Sequence, residues 1–272
     1  MDLKLKKFNM KQIKEDEIIV VIGKRNTGKS FLIKDLLYNH KELPIGTVIS
    51  PTEAANSFYS DIIPKMFIHY EYSEELLANL IKRQKKIKRR IKKGETDLDI
   101  RHFLIMDDCL YDSSWKNSKS IREIFMNGRH WGIFYILTMQ YPLGITPTLR
   151  TNIDYIFLLR ENIVQNRRRL YDSYAGMFPT FDMFCDTMDQ CTEDYGCMVI
   201  HNGAKSNKLE EQVYWYKAKP HKDFRIGANE IWEYSKLHCQ DDEDEDDNNA
   251  INNFKKKNAP KINVQKIIFL LK

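Results

Sequence analysis

The stretch Ile18-Ile-Val-Val-Ile22-Gly23-Lys24-Arg25-Asn26-Thr27-Gly28-Lys29-Ser30 decides how this chain is read. Five consecutive apolar, mostly β-branched residues predict a strand buried on both faces. The eight residues that follow fit G-x-x-x-x-G-K-[ST], and each type has a chemical reason. Gly23 and Gly28 let the backbone curl, so that successive N–H groups from Lys24, Arg25, Asn26 and Thr27 onward converge on phosphate oxygens. Lys29 reaches the β- and γ-phosphates, and Ser30 offers its hydroxyl to Mg²⁺. A helix is expected from Ser30 to about Tyr38, adding the positive end of its dipole. A plain Gly-rich turn would require neither Lys29 nor Ser30. A strand before the loop and a helix after it are the setting a phosphate loop needs.

The same alternation continues downstream. Thr47–Ser50 reads as a short strand stopped by Pro51, Phe103–Met106 as a third strand, Ile133–Thr138 as a fourth and Tyr155–Leu159 as a fifth. Ser73–Lys93 is a long helical segment with Ser73 as N-cap, Glu74 and Glu75 in the first turn, and Gly94 at its end. Helices are expected over Ser118–Met126, about Val164–Met177 and Phe181–Asp189, with late strands at Cys197–Ile200 and Val213–Lys217. Continuously apolar strands separated by helices imply an α/β fold: a three-layer sandwich whose central sheet is mostly parallel. There is no internal repeat.

Polar residues at the strand ends carry the chemistry. His102-Phe-Leu-Ile-Met-Asp107-Asp108 runs from buried strand straight into two carboxylates. At the strand's C-terminal end Asp107 would lie beside the loop and hold Mg²⁺, with Ser30 or through water. Asp108 would orient and deprotonate the attacking water. It is one methylene shorter than the Glu many such ATPases use, so Glu53, after the second strand, stands as the reserve base. Gln140 ends the fourth strand, where an amide can contact the γ-phosphate or the water. Arg150 follows in Thr148-Leu-Arg150-Thr-Asn152-Ile-Asp154 and can act as a finger on a neighbouring subunit's γ-phosphate, with Arg160 and Arg129 as competitors.

Charge points to a polyanion partner. The formal net charge of the 272 residues is +5, but Asp241–Asp247 is an unbroken acidic run. It holds seven of the 38 acidic residues, leaving 31 against 43 basic ones, an excess of 12. Nucleic acid is first in line, beside the plain alternative of a Lys-rich genome composition. Nine basic residues fall within Lys82–Lys93, over a weak apolar stripe of Ile81, Ile87 and Ile91. That helix reads either as a DNA-phosphate contact or as a solvated face or subunit contact. Cys185, Cys191, Cys197 and His201 lack the tight cysteine pair usual for zinc and read as buried thiols. Trp115, Trp131, Trp215 and Trp232 read as core or interface. No apolar run reaches membrane-span length and the N-terminus has no signal core, so secretion is not expected. Five cysteines fit a reducing compartment. Residues 1–240 form one expected domain carrying a basic helical insertion at about 73–93; 241–272 are expected to be an acidic, disordered tail.

Taken in order, IGKRNTGKS, FLIMDDC, NGRHWGIFYILTMQYP and LRTNIDYIFLLRE resemble the FtsK–HerA superfamily of P-loop ATPases. Within it they most resemble the poxvirus-type genome-packaging ATPases of large double-stranded DNA viruses, over roughly Ile18 to Ile200. The resemblance implies a RecA/ASCE-like fold and a homo-oligomeric ring, a hexamer, that uses ATP and Mg²⁺ to thread double-stranded DNA into a capsid. It implies partners among capsid or virion proteins, and a location in the host cytoplasm's viral factory or the virion. Gly23 to Ser30 would bind nucleotide, Asp107 the metal, Asp108 would be the base, Gln140 the γ-phosphate sensor and Arg150 the trans finger. Two rival readings remain. One is another P-loop enzyme such as a nucleotide or polynucleotide kinase, against which Gln140 and the Asp107–Asp108 pair argue. The other is a nucleotide-gated scaffold of virion assembly.

Overall fold

The computed structural model describes residues 3–109 and 114–239. The acidic run and the expected tail at 241–272 lie outside the described residues. Strands β1 (Lys6–Lys7) and β2 (Ile18–Ile22) precede helix α1 (Lys29–Asn39). Strand β3 (Gly46–Ile49) leads through the short α2 (Glu53–Asn56) to β4 (Ile68–His69) and the long α3 (Glu74–Lys92). Then come β5 (His102–Met106), α4 (Lys119–Asn127), β6 (Ile133–Met139), the single-turn α5 (Pro147–Arg150) and β7 (Tyr155–Leu158). Helices α6 (Val164–Tyr174) and α7 (Phe181–Cys191) follow, then β8 (Gly196–His201), α8 (Leu209–Gln212), β9 (Val213–Lys217) and α9 (Asn229–His238).

The strands form one sheet in the order β1-β9-β8-β7-β2-β6-β5-β3-β4. Strand β2 lies in its middle, hydrogen-bonded in parallel to β6 and β7. Side chains alternate along a strand, so β2 feeds two cores. Ile18, Val20 and Ile22 pack on one face with Leu77, Ile121, Phe125 and Phe184 from α3, α4 and α7. Ile19 and Val21 pack on the other with Leu32, Ile33 and Leu36 from α1. This gives the helix–sheet–helix layering expected from uninterrupted apolar strands.

The sheet is mostly parallel, but β8 runs antiparallel to both β7 and β9. Between β7 and β8 the chain passes through α6 and α7 and returns to the end at which β7 finished. Strand β8 therefore starts at the same edge as the loop after β2. The two-residue strands β1 and β4 and helix α9 carry too little pattern to be read from sequence.

Helix α3 begins as expected: the Ser73 Oγ accepts the Leu76 N–H at 3.3 Å. Its buried stripe is Leu77, Leu80, Ile81 and Gln84. Ile87 is half-buried and Ile91 exposed, so the stripe expected on Ile81, Ile87 and Ile91 lies one to two turns too late. Gln84 donates from Nε2 to the carbonyls of Ile100 and Trp131, at 2.6 and 3.0 Å. The first half of the helix is thus part of the core, and the basic second half is mostly exposed. Among the described residues no helix is long and apolar enough to cross a membrane.

Candidate active site

The strand register assembles the site. Ile22 pairs with Met139 and Met106 with Leu137, so the ends of β2, β5 and β6 lie side by side. The Gly23 N–H donates to the Met139 carbonyl at 2.9 Å, starting the loop next to Gln140. Gly23 is buried, and a Cβ there would come within 2.7 Å of the Thr27 Oγ1 and 2.8 Å of the Leu159 Cβ. Gly28 has φ 97°, the left-handed region open to glycine. Thr27 Oγ1 donates to the Lys24 carbonyl at 2.7 Å and closes the curl. Lys29, the first residue of α1, folds back over the loop and donates from Nζ to the carbonyls of Gly23 and Lys24, at 2.7 and 2.9 Å. Its pKa is lowered because burial outweighs the opposing pull of Asp108 and Asp107. Arg25, Asn26 and Ser30 are exposed at the loop's mouth.

Opposite the loop, Asp107 follows β5, and its N–H donates to the Ile49 carbonyl at 2.9 Å. Burial pushes its carboxyl up; the Thr138 hydroxyl, which donates to Oδ1, works against this. The Tyr59 hydroxyl is fully buried close by without a well-directed hydrogen-bond partner, and burial and Asp107 push it well up. Asp108 has φ 54°, a region that tolerates Asp far better than most side chains. Its N–H donates to the Thr138 Oγ1 at 3.0 Å, and its Oδ2 accepts from the Gln140 Nε2. The structure therefore brings Lys29, Asp107, Asp108 and Gln140 to one edge of the sheet. An ammonium, a serine hydroxyl, two carboxylates and a curl of backbone amides are the donor set that a triphosphate with a hard divalent cation requires. The Ser30 hydroxyl and the Asp107 carboxylate are oxygen donors of the kind Mg²⁺ takes.

Glu53 is committed elsewhere. It is buried, and its carboxylate accepts the N–H groups of Tyr59 (3.0 and 2.9 Å) and Ser60 (2.8 Å), closing the turn after α2. Arg150 donates from Nε to the Ile145 carbonyl at 2.9 Å and lies 5.2 Å over the Tyr174 ring. Among the described residues no hydrogen bond or ion pair joins it to the loop or to Asp107 and Asp108. Arg129 pairs with Asp154 at 3.6 Å, where β6 and β7 begin, at the far end of the sheet from the loop. Arg160 is exposed just past β7, at the loop's end, with its Nε donating to Asn162 at 3.2 Å.

Three site residues escaped the sequence reading. Thr138 is one hydroxyl in an apolar strand. Tyr59 has no motif around it. Glu161, buried beside the loop, pairs with Lys24 and accepts the Ile163 N–H at 2.7 Å and the Asn166 amide at 3.0 Å. Burial alone would raise its carboxyl, but Lys24 and these donors hold it below the usual range. A lone acid in the hydrophobic run YIFLLRE was the available signal. Cys191 and Cys197 are buried, and burial pushes the Cys191 thiol up to about 11.

The sequence model of the poxvirus A32 protein family matches residues 5–188. An uncharacterized protein of Acanthamoeba polyphaga mimivirus is 44% identical over 231 residues, which is 84% of this chain and 81% of that one. An uncharacterized protein of Invertebrate iridescent virus 6 is 41% identical over 222 residues, 80% and 84% of the two chains. Among solved structures, the genome packaging NTPase B204 of Sulfolobus turreted icosahedral virus 2 shares the fold with a TM-score of 0.52. The two are 19% identical, and the match covers 77% of this chain and all of that one.

Proposed function

This chain belongs to the poxvirus A32 protein family, and from that premise we propose that it is an ATP-hydrolysing DNA translocase that packages a viral double-stranded DNA genome into the capsid. The observation that carries the reading is the meeting of Asp107, Asp108, Thr138 and Gln140 with the Gly23–Ser30 loop at one sheet edge. A carboxylate held by an amide can take the proton of an attacking water; a kinase would instead pass the phosphoryl group to an acceptor hydroxyl, and the two differ in product.

In this mechanism the loop amides and Lys29 hold the triphosphate. Gln140 fixes the Asp108 carboxylate, which takes a proton as water oxygen bonds to the γ-phosphorus and the β–γ bridging oxygen leaves with ADP. Ser30 and Asp107 would hold Mg²⁺, which when bound supplies positive charge against the phosphate oxygens. Lys29 stabilises the charge that develops on the γ-phosphoryl oxygens. Arg150 acts from a neighbouring subunit of a ring, with Arg160 as its competitor at the loop's own edge. The basic half of α3 and the excess positive charge of the body serve a duplex DNA path. The ATPase domain is taken as residues 1–240, with 241–272 as an acidic appendage. The fold shared with a protein named for genome packaging supports the packaging role.

Phosphate release stimulated by duplex DNA is the expected activity, and Lys29→Ala is expected to abolish it. Turnover that ignores DNA, or that survives Lys29→Ala, overturns the reading.

A further inference from the structure

The Tyr59 side chain is among the largest that are wholly buried, at 1% exposure, and its hydroxyl has no hydrogen-bond partner among the described residues. Phenylalanine would fill the same space without stranding a polar group, and a buried hydroxyl left unpaired is costly. Of the charges around it, Asp107, the metal-side carboxylate, acts on it most strongly. The hydrolytic chemistry described so far makes no use of this hydroxyl.

The surroundings fix the ring. Tyr59 belongs to the core that also holds Val48 of β3 and Ile105 of β5. Phe58 packs edge-on against it, with ring centroids 4.8 Å apart. Its backbone is fastened on both sides. The Tyr59 N–H donates to both Glu53 carboxylate oxygens, and its carbonyl accepts the N–H groups of Ile62 and Ile63 at 2.9 and 2.8 Å. Ser57, with φ 47°, turns the chain out of α2 ahead of this contact. Glu53 is itself 3% exposed, so a buried carboxylate is committed to aiming one turn. Asp107 receives partners from two neighbouring strands, because β5 lies between β6 and β3. From β6 the Thr138 hydroxyl donates to its Oδ1, and on β3 the Ile49 carbonyl accepts its N–H. Tyr59 comes from the segment that follows β3. One hydroxyl is thus engaged with the carboxylate, and the second lies beside it, short of a directed bond. A phenolic O–H can turn about its C–O bond to meet an acceptor.

Resting on the hydrolysis proposed above and deepening it, we propose that Tyr59 is a positioning residue for that reaction: its hydroxyl donates to the Asp107 carboxylate in the working site, and Glu53 aims it there. Glu53, which the sequence offered as a reserve base, then acts on the chemistry through this ring and not on water. An O–H donated to a carboxylate is a charge-assisted bond, stronger than one between neutral groups. Two such donors, Thr138 and Tyr59, hold Asp107 in one orientation. Partners of this kind orient the groups that hold a metal and tune how tightly they do so.

The test uses the full chain with Tyr59→Phe, which keeps the ring and removes only the hydroxyl. Calorimetry measures binding of a non-hydrolysable ATP analogue with Mg²⁺ and, separately, with EDTA. Tyr59→Phe is expected to weaken binding with Mg²⁺ about tenfold, to leave binding in EDTA unchanged, and to lower kcat about tenfold. Glu53→Gln is expected to act in the same direction, and the double variant to lose little more than Tyr59→Phe alone, because both act through one bond. Unchanged Mg²⁺-dependent binding and kcat in Tyr59→Phe overturn the proposal. An equal loss in EDTA also overturns it, because the ring would then be shaping the phosphate loop. Losses that multiply in the double variant overturn the link from Glu53 to Tyr59. Lys29→Ala separates this proposal from the reading beneath it. If Lys29→Ala binds the analogue as the wild type does, the phosphate loop itself is misassigned. If it loses binding while Tyr59→Phe is unaltered, only the role of Tyr59 fails.

Discussion

Thr138 donates its hydroxyl to Asp107 and accepts the N–H of Asp108, so one side chain on β6 orders the Asp107 carboxylate and the Asp108 backbone at the end of the neighbouring strand. Thr138→Val keeps the shape and removes both bonds. The buried Asp107 then loses its best-directed donor, a loss worth about 1–3 kcal/mol. Expressed on the reaction, it lowers kcat about tenfold with KM for ATP little changed, and steady-state kinetics on the folded variant checks this. An unaltered kcat means that the hydroxyl serves the strand and not the chemistry. Asp107, Asp108 and Gln140 were legible because carboxylates and an amide interrupt apolar runs at their ends. Thr138 was not, since threonine is an ordinary strand residue whose partners lie 31 and 30 positions away.

At the scale of elements, helix α3 is fastened to α4 through Glu74. Its carboxylate accepts the Tyr72 hydroxyl at 2.6 Å, the Ser120 N–H and hydroxyl at 3.0 and 2.7 Å, and the Ser118 hydroxyl. Burial would raise its pKa, but these donors lower it from the ordinary 4.5 to about 2. A depressed carboxylate contributes stability that is fully present above the unfolded value and disappears as pH falls through the folded one. The Tm gap between wild type and Glu74→Gln is therefore expected to be constant above about pH 5 and to close between about pH 4.5 and 2. Its size will be modest, because the group is exposed and screened. A gap that persists at pH 2 rules out the carboxylate as the fastener. The sequence placed Glu74 in a first helical turn, which is correct, but it held no sign of the serines 44 and 46 residues away. Most helices and strands were legible from period and caps. The direction of β8 was not, because it is set by pairing with β7 and β9 rather than by any local pattern.

For the whole molecule, the question is how one site is completed. Arg150 is held by Ile145 and Tyr174 of its own chain, away from its own loop. Action in trans makes a clear prediction: Lys29→Ala and Arg150→Ala subunits, each inactive alone, regain part of the ATPase activity when mixed. In such rings some interfaces pair an intact loop with an intact arginine. Mixed rings, verified by mass, that stay inactive count against Arg150, and the same mixing with Arg160→Ala then tests its competitor.

The sequence by itself determined the loop, the strand that feeds it, the layered α/β architecture and which polar residues stand at the strand ends. These follow from local spacing: apolar period, glycine placement and the few side chains that can carry charge to a strand end. The tertiary structure alone decided which of them meet. It drew Glu53 into a turn, put Arg129 at the wrong end of the sheet, supplied Thr138 and Glu161, and laid Tyr59 beside Asp107. Those outcomes depend on strand register, which is set by packing between residues far apart in the chain.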